Sequence, residues 1–443
     1  MKGKMKGTKK LSHRMKSKTI KINLMTRVEG EGSLYLKITD GLVQKVELKI
    51  FEPPRFFEAL LRGRDFREAP DITSRICGIC PIAYQLSASY AMEEICGVRV
   101  EGPLRALRRL IYDGEWIESH VLHVFMLHAP DFLGFGNIMQ VAQKYPEMTR
   151  NALRMKRAGN DIMVLLGGRE VHPVNLRVGG FYKVPSKREL RGLLEEIKWG
   201  KQAAIESAKV IAGFEFPAFT ADYEFLALSH PEEYAILEGR LVSNKGIDIG
   251  VSEYDEHLIE EQVPYSTALH SHIKGRGACL MGPLARYNLN YDRLSPLCRE
   301  IARETGLERE CRNPFKSILV RMIEVIFAFE EAERIIEAYE EPDSPAVEVV
   351  PRAGTGYGCT EAPRGSCYHR YTIDDKGIIT NVKIVAPTSV NQSRIEKDLA
   401  ELVQMHVDLP DEKLKQYCER AIRNYDPCIS CSTHFLTLNV ERD

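Results

Sequence analysis

No stretch of this 443-residue sequence reaches the roughly 18 uninterrupted apolar residues that a bilayer-spanning helix needs, so no membrane span is expected. Neither G-x-G-x-x-G nor G-x-x-x-x-G-K-S/T occurs. Gly354-Thr355-Gly356-Tyr357-Gly358 is glycine-rich but lacks the following helix that a nucleotide fingerprint requires, so any nicotinamide or flavin is expected on another polypeptide of a complex. Charge of one sign is missing too. Lysine and arginine total 61 against 62 acidic residues, a net charge of -1 that argues against wholesale nucleic-acid binding. No apolar signal-peptide region opens the chain, and its 11 cysteines are an odd number on a long polypeptide. Both observations speak against a disulfide framework and for a reducing, cytoplasmic setting. No Gly/Ser-rich or low-complexity linker divides the chain and no internal repeat is visible. Length alone suggests about three domains; with 44% hydrophobic residues and no linker, one large domain over residues 18–434 is the better reading.

The stretch up to Lys21 is rich in lysine and holds no acid. Residues 1–17 are read as a solvated basic tail, with Met15 as an alternative start. From Thr19 to Ile50 the pattern is strand-like: Leu34, Leu36 and Ile38 alternate with Tyr35, Lys37 and Thr39, and Asp40-Gly41 offers a hairpin turn. Three-and-four spacing of apolar residues then predicts helices over Phe56 to Arg64, Leu104 to Leu127, Pro146 to Leu166, Lys187 to Ala212, Pro314 to Tyr339 and Ile395 to Asp408. Gly167 to Gly180, Gly275 to Arg286 and Pro351 to Gly365 read as loops, and Arg370 to Val385 as a hairpin turning near Asp375-Lys376-Gly377. The expected fold is α+β: a mainly helical core with an N-terminal β-hairpin region.

Two cysteine pairs lie 351 residues apart, in Arg75-Ile76-Cys77-Gly78-Ile79-Cys80-Pro81 and Asp426-Pro427-Cys428-Ile429-Ser430-Cys431-Ser432-Thr433-His434. Each C-x-x-C lets both sulfurs face one ion, and four thiolates form a soft ligand set that nickel, iron or zinc accepts. A zinc ribbon holds its pairs within about 15 to 20 residues because the metal staples a small fold. Here the chain must fold first to bring the pairs together. Pro81 suits the first turn of a helix running from Ile82 to Ile95, which puts Cys80 at an N-terminus where partial positive charge favours a thiolate.

Further motifs lie between the pairs or upstream of them: Arg27-Val28-Glu29-Gly30; Arg55-Phe56-Phe57-Glu58 before Gly63-Arg64-Asp65; Gly167-Gly168-Arg169-Glu170-Val171-His172-Pro173 with Gly179-Gly180; Gly282-Pro283-Leu284-Ala285-Arg286; and Glu361-Ala362-Pro363-Arg364-Gly365. In order and spacing they resemble the large, catalytic subunit of NiFe-hydrogenases from about Lys18 to His434. The resemblance implies reversible, heterolytic cleavage of dihydrogen. It matches Cys77, Cys80, Cys428 and Cys431 to the nickel ligands, with Cys80 and Cys431 bridging to an iron that carries carbonyl and cyanide. Arg364, beside Pro363, matches the arginine over the open face of the metals, and Thr388 a hydroxyl donor to cyanide. Glu29 matches the carboxylate that takes the proton from a terminal cysteine, here Cys428. Glu58 and His434 match ligands of a second metal, usually magnesium, and His172 a histidine at the contact with the electron-transfer subunit. Residues 435–443 match an extension that a maturation protease removes. The resemblance also implies a small iron-sulfur subunit, with flavin and further iron-sulfur subunits delivering electrons to NAD(P).

Two departures from the commoner family pattern, Tyr84 in place of a histidine and Ser119 in place of an aspartate, resemble the cytoplasmic, bidirectional, NAD(P)-linked subgroup that includes sulfhydrogenases. Three rival readings remain: a dihydrogen sensor, the quinone-site subunit of respiratory complex I, which lacks the nickel thiolates, and a structural zinc protein. His120, His123 and His128 read as core histidines, Trp116 as packing, and Cys96, Cys279, Cys298, Cys311, Cys359, Cys367 and Cys418 as core thiols.

Overall fold

The computed structural model describes residues 18–52 and 56–433. Strands β1 (Lys18–Ile22), β2 (Gly32–Thr39) and β3 (Leu42–Ile50) form an antiparallel sheet in that order. Leu34, Leu36 and Ile38 are buried, as their alternation requires. Asp40 (φ +52°) and Gly41 (φ +77°) both take the left-handed conformation of a tight hairpin turn.

Helices follow: α1 (Phe57–Leu61), α2 (Pro81–Cys96), α3 (Gly102–Val121), α4 (Pro146–Gly167) and α5 (Leu194–Ala212). Helix α3 runs on into a π-helical turn, Leu122–His128. Short strands fill the region between residues 226 and 273, then come α6 (Pro283–Asn290) and α7 (Ser317–Ala338). A second three-stranded antiparallel sheet holds β4 (Gly354–Ala362), β5 (Gly365–Ile373) and β6 (Ile379–Val385). Helices α8 (Pro387–Met405) and α9 (Asp411–Arg423) lead into the second cysteine pair. The core is helical: α3 packs against α4 and α7, α7 against α5, and α2 against the sheet of β4 and β5.

Several segments differ from the sequence expectation: α8 opens at Pro387, eight residues before the expected Ile395, and the helix expected from Lys187 to Ala212 is broken after Arg191 before α5 begins. Residues 354–362 form strand β4 and not a loop, because glycine recurs there with period two. A Cβ on Gly356 would collide with the carbonyl oxygen of Ala91, and one on Gly358 with that of Ser87, so the bare strand lies directly on α2. The expected loop from Gly275 to Arg286 is cut short where Pro283 opens α6. Helix α9 escapes the periodicity reading because most of its residues are charged, with only Leu414, Cys418, Ala421, Ile422 and Arg423 buried.

Candidate metal centre

The folded chain brings the two cysteine pairs together. The sulfurs of Cys77, Cys80, Cys428 and Cys431 lie within 4.8 Å of one another, and all four residues are buried. Cys77 Sγ is 3.6 Å from Cys428 Sγ and 2.9 Å from Cys80 Sγ; Cys80 Sγ is 3.9 Å from Cys431 Sγ. The Cα atoms of Cys428 and Cys431 are 5.5 Å apart. This donor set, four soft buried sulfurs, fits a soft transition metal. The N–H groups of Ile79 and Cys80 turn onto Cys77 Sγ at 3.3 and 3.2 Å. Burial opposes ionisation of Cys77, but the hydrogen bond from Cys80 and the charge of Arg364 hold its thiol below the ordinary value. Cys80 does precede a helix, yet its thiol is shifted well up, because it donates to Cys77 and is buried.

Around the sulfurs stand groups from distant parts of the chain. Glu29 reaches the centre through an isolated parallel bridge to Cys428. Its Oε2 lies 3.2 Å from Cys428 Sγ and accepts from Ser430 N at 3.0 Å. Thr388, in the first turn of α8, accepts the N–H of Cys428 through Oγ1 at 3.0 Å, which leaves its hydroxyl proton free for donation. Arg364 is fully buried and forked onto Asp426: Nε donates to the backbone oxygen at 2.9 Å and Nη2 to Oδ1 at 3.1 Å. Nη1 donates to Ser119 Oγ at 3.3 Å. Although burial disfavours its charge, Asp426 and the thiols hold the Arg364 guanidinium firmly protonated. Pro363 contributes its carbonyl, which accepts from Arg286 Nη2 at 3.0 Å.

Asp426 is a residue the motifs did not assign. It sits two positions before Cys428 with φ +50°, and its second oxygen faces Arg321 Nη1 at 3.5 Å. Its place in Asp426-Pro427-Cys428 was the one signal in the sequence; Arg321, inside α7, had none. Burial drives Arg321 down to about 10, partly countered by Asp426. Arg321 in turn lies 3.2 Å from His120 Nδ1, and His120 Nε2 lies 3.0 Å from Glu324. Burial lowers His120 to about 4. His123 pairs with the carbonyl of Arg423 at 2.7 Å, and His128 packs on Phe132. All three histidines lie in the core.

Glu58 lines a cavity of about 210 Å³ together with Phe57, Ile76, Ile384, Cys431 and Thr433, and its Oε1 accepts from Ile384 N at 2.8 Å. His434, the residue matched with it, lies outside the described residues, as do Arg55 and the terminal segments 1–17 and 435–443. His172 takes a left-handed backbone (φ +51°), and its Nδ1 is 2.7 Å from the carbonyl oxygen of Ser74, just before the first cysteine pair.

A mainly helical fold that closes on four buried cysteine sulfurs, with a carboxylate at one sulfur and a fixed guanidinium beside them, defines a protein built to hold a soft transition metal. Comparison gives the family. A model described as nickel-dependent hydrogenase matches residues 55–151 and 274–434. The chain is 32% identical over 431 residues to the alpha subunit of sulfhydrogenase 1 of Pyrococcus furiosus, covering 95% of this chain and 98% of that protein. It is 32% identical over 433 residues to the alpha subunit of sulfhydrogenase 2 of the same organism, covering 95% of this chain and 100% of that protein. Among solved structures, an NAD+-reducing NiFe-hydrogenase in the H2-reduced state superimposes with a TM-score of 0.85 at 27% identity, covering 94% of this chain and 99% of that one. The chain belongs to the nickel-dependent hydrogenase family, as a large, catalytic subunit. Among the described residues no helix is long and apolar enough to cross a membrane.

Proposed function

We propose that Cys77, Cys80, Cys428 and Cys431 hold a nickel-iron group, and that this chain cleaves dihydrogen heterolytically and reversibly to protons and electrons. The observation that carries the reading is the placement of Glu29 Oε2 at 3.2 Å from the sulfur of Cys428, a ligand with a proton acceptor at its back. When bound, the metals supply the Lewis-acid and redox chemistry that polarises dihydrogen and takes up its two electrons. The chain's own residues handle the proton. The Cys428 thiolate accepts it, Glu29 Oε2 takes it from the sulfur, and the half-buried position of Glu29 leads it outward. Arg364, held on three sides by Asp426 and Ser119, presents a cation of fixed orientation that a lysine would hold less rigidly. Thr388 has a hydroxyl proton to give to an anionic ligand such as cyanide.

The same reading gives Glu58, with His434, a hard cation such as magnesium: a carboxylate in a small cavity leaves room for water ligands. Residues 18–434 form the working domain, and 435–443 are removed by a maturation protease. Electrons leave to a small iron-sulfur subunit docked near His172, then to NAD(P) through flavin and iron-sulfur subunits. The sulfhydrogenase relatives and the structural likeness to an NAD+-reducing enzyme support this. The complex purified with its partners is expected to reduce NAD+ or NADP+ with dihydrogen; dihydrogen uptake with an artificial dye but with neither nucleotide would refute the NAD(P) link.

A further inference from the structure

Helix α2 starts at the first ligand pair, and its first turn leaves backbone donors without a local cap. Cys80 occupies the N-cap position with φ -125° and ψ 47°, and makes no side-chain cap. A serine or aspartate there would turn its oxygen back onto the first turn. The sulfur of Cys80 is instead committed to the cluster. Pro81 carries no N–H, but Ile82 and Ala83 do, and both are fully buried. Donors left unpaired in such surroundings carry the full cost of their lost hydration.

The acceptors come from another helix. Glu115, in α3 and fully buried, points its carboxyl at the start of α2, with Oε2 2.6 Å from Ile82 N and Oε1 3.3 Å from Ala83 N. Among the described residues no lysine, arginine or histidine forms an ion pair with it, burial holds its carboxyl group well above the ordinary carboxylate range, and both its oxygens are committed to these backbone groups. One turn further along α3, Ser119 receives Arg364. A single helix thus touches both the turn that carries Cys77 and Cys80 and the guanidinium beside them.

We propose that Glu115 is a positioning residue for the Cys77 and Cys80 ligand pair, capping α2 from a neighbouring helix so that both sulfurs face one ion. This rests on the reading that the four cysteines hold nickel. Two acceptor oxygens are needed for two N–H groups. Glutamine fills the same volume but offers one acceptor and sets an N–H₂ group against the other donor.

The test is Glu115→Gln in the complete enzyme purified with its partner subunits, measured by nickel retained per chain during incubation with EDTA, by infrared spectroscopy of the metal ligands, and by unfolding midpoint. The variant is expected to release nickel about tenfold faster, the size of loss that outer-shell changes bring, with displaced infrared bands and a midpoint within a few degrees of the parent. Unchanged release and unchanged bands would overturn the proposal. Should Glu115→Gln not accumulate as folded protein, Glu115→Asp, which keeps both oxygens but draws them back by one methylene, is expected to show the same faster release. If neither folds, the role is structural support alone and the proposal fails. A parent enzyme devoid of nickel would instead overturn the reading of the cluster, which keeps the two failures apart.

Discussion

Glu29 and Cys428 meet although 399 positions separate them, and the contact depends on a main-chain bridge as much as on the two side chains. The N–H of Ile429 donates to the carbonyl of Glu29 at 3.0 Å, so the carboxylate is held against the sulfur by the backbone. Glu29→Gln keeps this scaffold and removes the proton acceptor. Its expected effect is dihydrogen turnover lowered by at least about 100-fold, with nickel and iron content unchanged; wild-type uptake by the metal-loaded variant would refute the assignment. At this scale the placement was legible for the cysteines, Glu29, Thr388 and Arg364, which the motifs singled out and the fold brings together. Glu115 and Arg321 were not readable. A charged residue within a helix looks like solvated surface until the fold shows that it is buried.

Strands β1 to β3 and the β5–β6 hairpin were legible from alternation and turn residues, whereas β4 was hidden by glycines whose purpose is contact with α2 and not chain reversal. Helix α8 shows another feature that only packing reveals. Glu396 accepts from Leu48 N of β3 at 2.8 Å and from the Tyr265 hydroxyl at 2.9 Å, which ties the first sheet to the helix. Burial raises its carboxyl from 4.5 to about 7, in spite of both bonds. The folded chain therefore keeps this proton up to about pH 7, while the unfolded chain releases it near its ordinary value. The contribution to stability is complete below about pH 4.5 and is lost as pH rises towards 7. The melting temperature of Glu396→Gln relative to the parent is expected to climb between about pH 5 and 7 and then level off. A difference constant over that range would contradict the burial of the charge.

Over the whole molecule, the metal centre is assembled from the loop before α2, the segment after α9 and the N-terminal strand region, so it forms only after the long-range fold is in place. The large separation of the cysteine pairs was visible in the sequence and pointed to this; which helices would carry the neighbouring charges was not, because that depends on how α3 and α7 cross. Thr433 bridges to Ala268 at the rim of the site, immediately before His434. Removal of residues 435–443 predicts that active, metal-loaded chain ends at His434. Intact-mass analysis checks this, and active enzyme ending at Asp443 would contradict it.

The central claim, a nickel-iron group on four cysteines, is tested most directly by elemental analysis with infrared spectroscopy of the protein matured in its own host and purified with its partners. Nickel and iron, with carbonyl and cyanide bands, is the predicted result. Zinc alone, with no such bands, would contradict it.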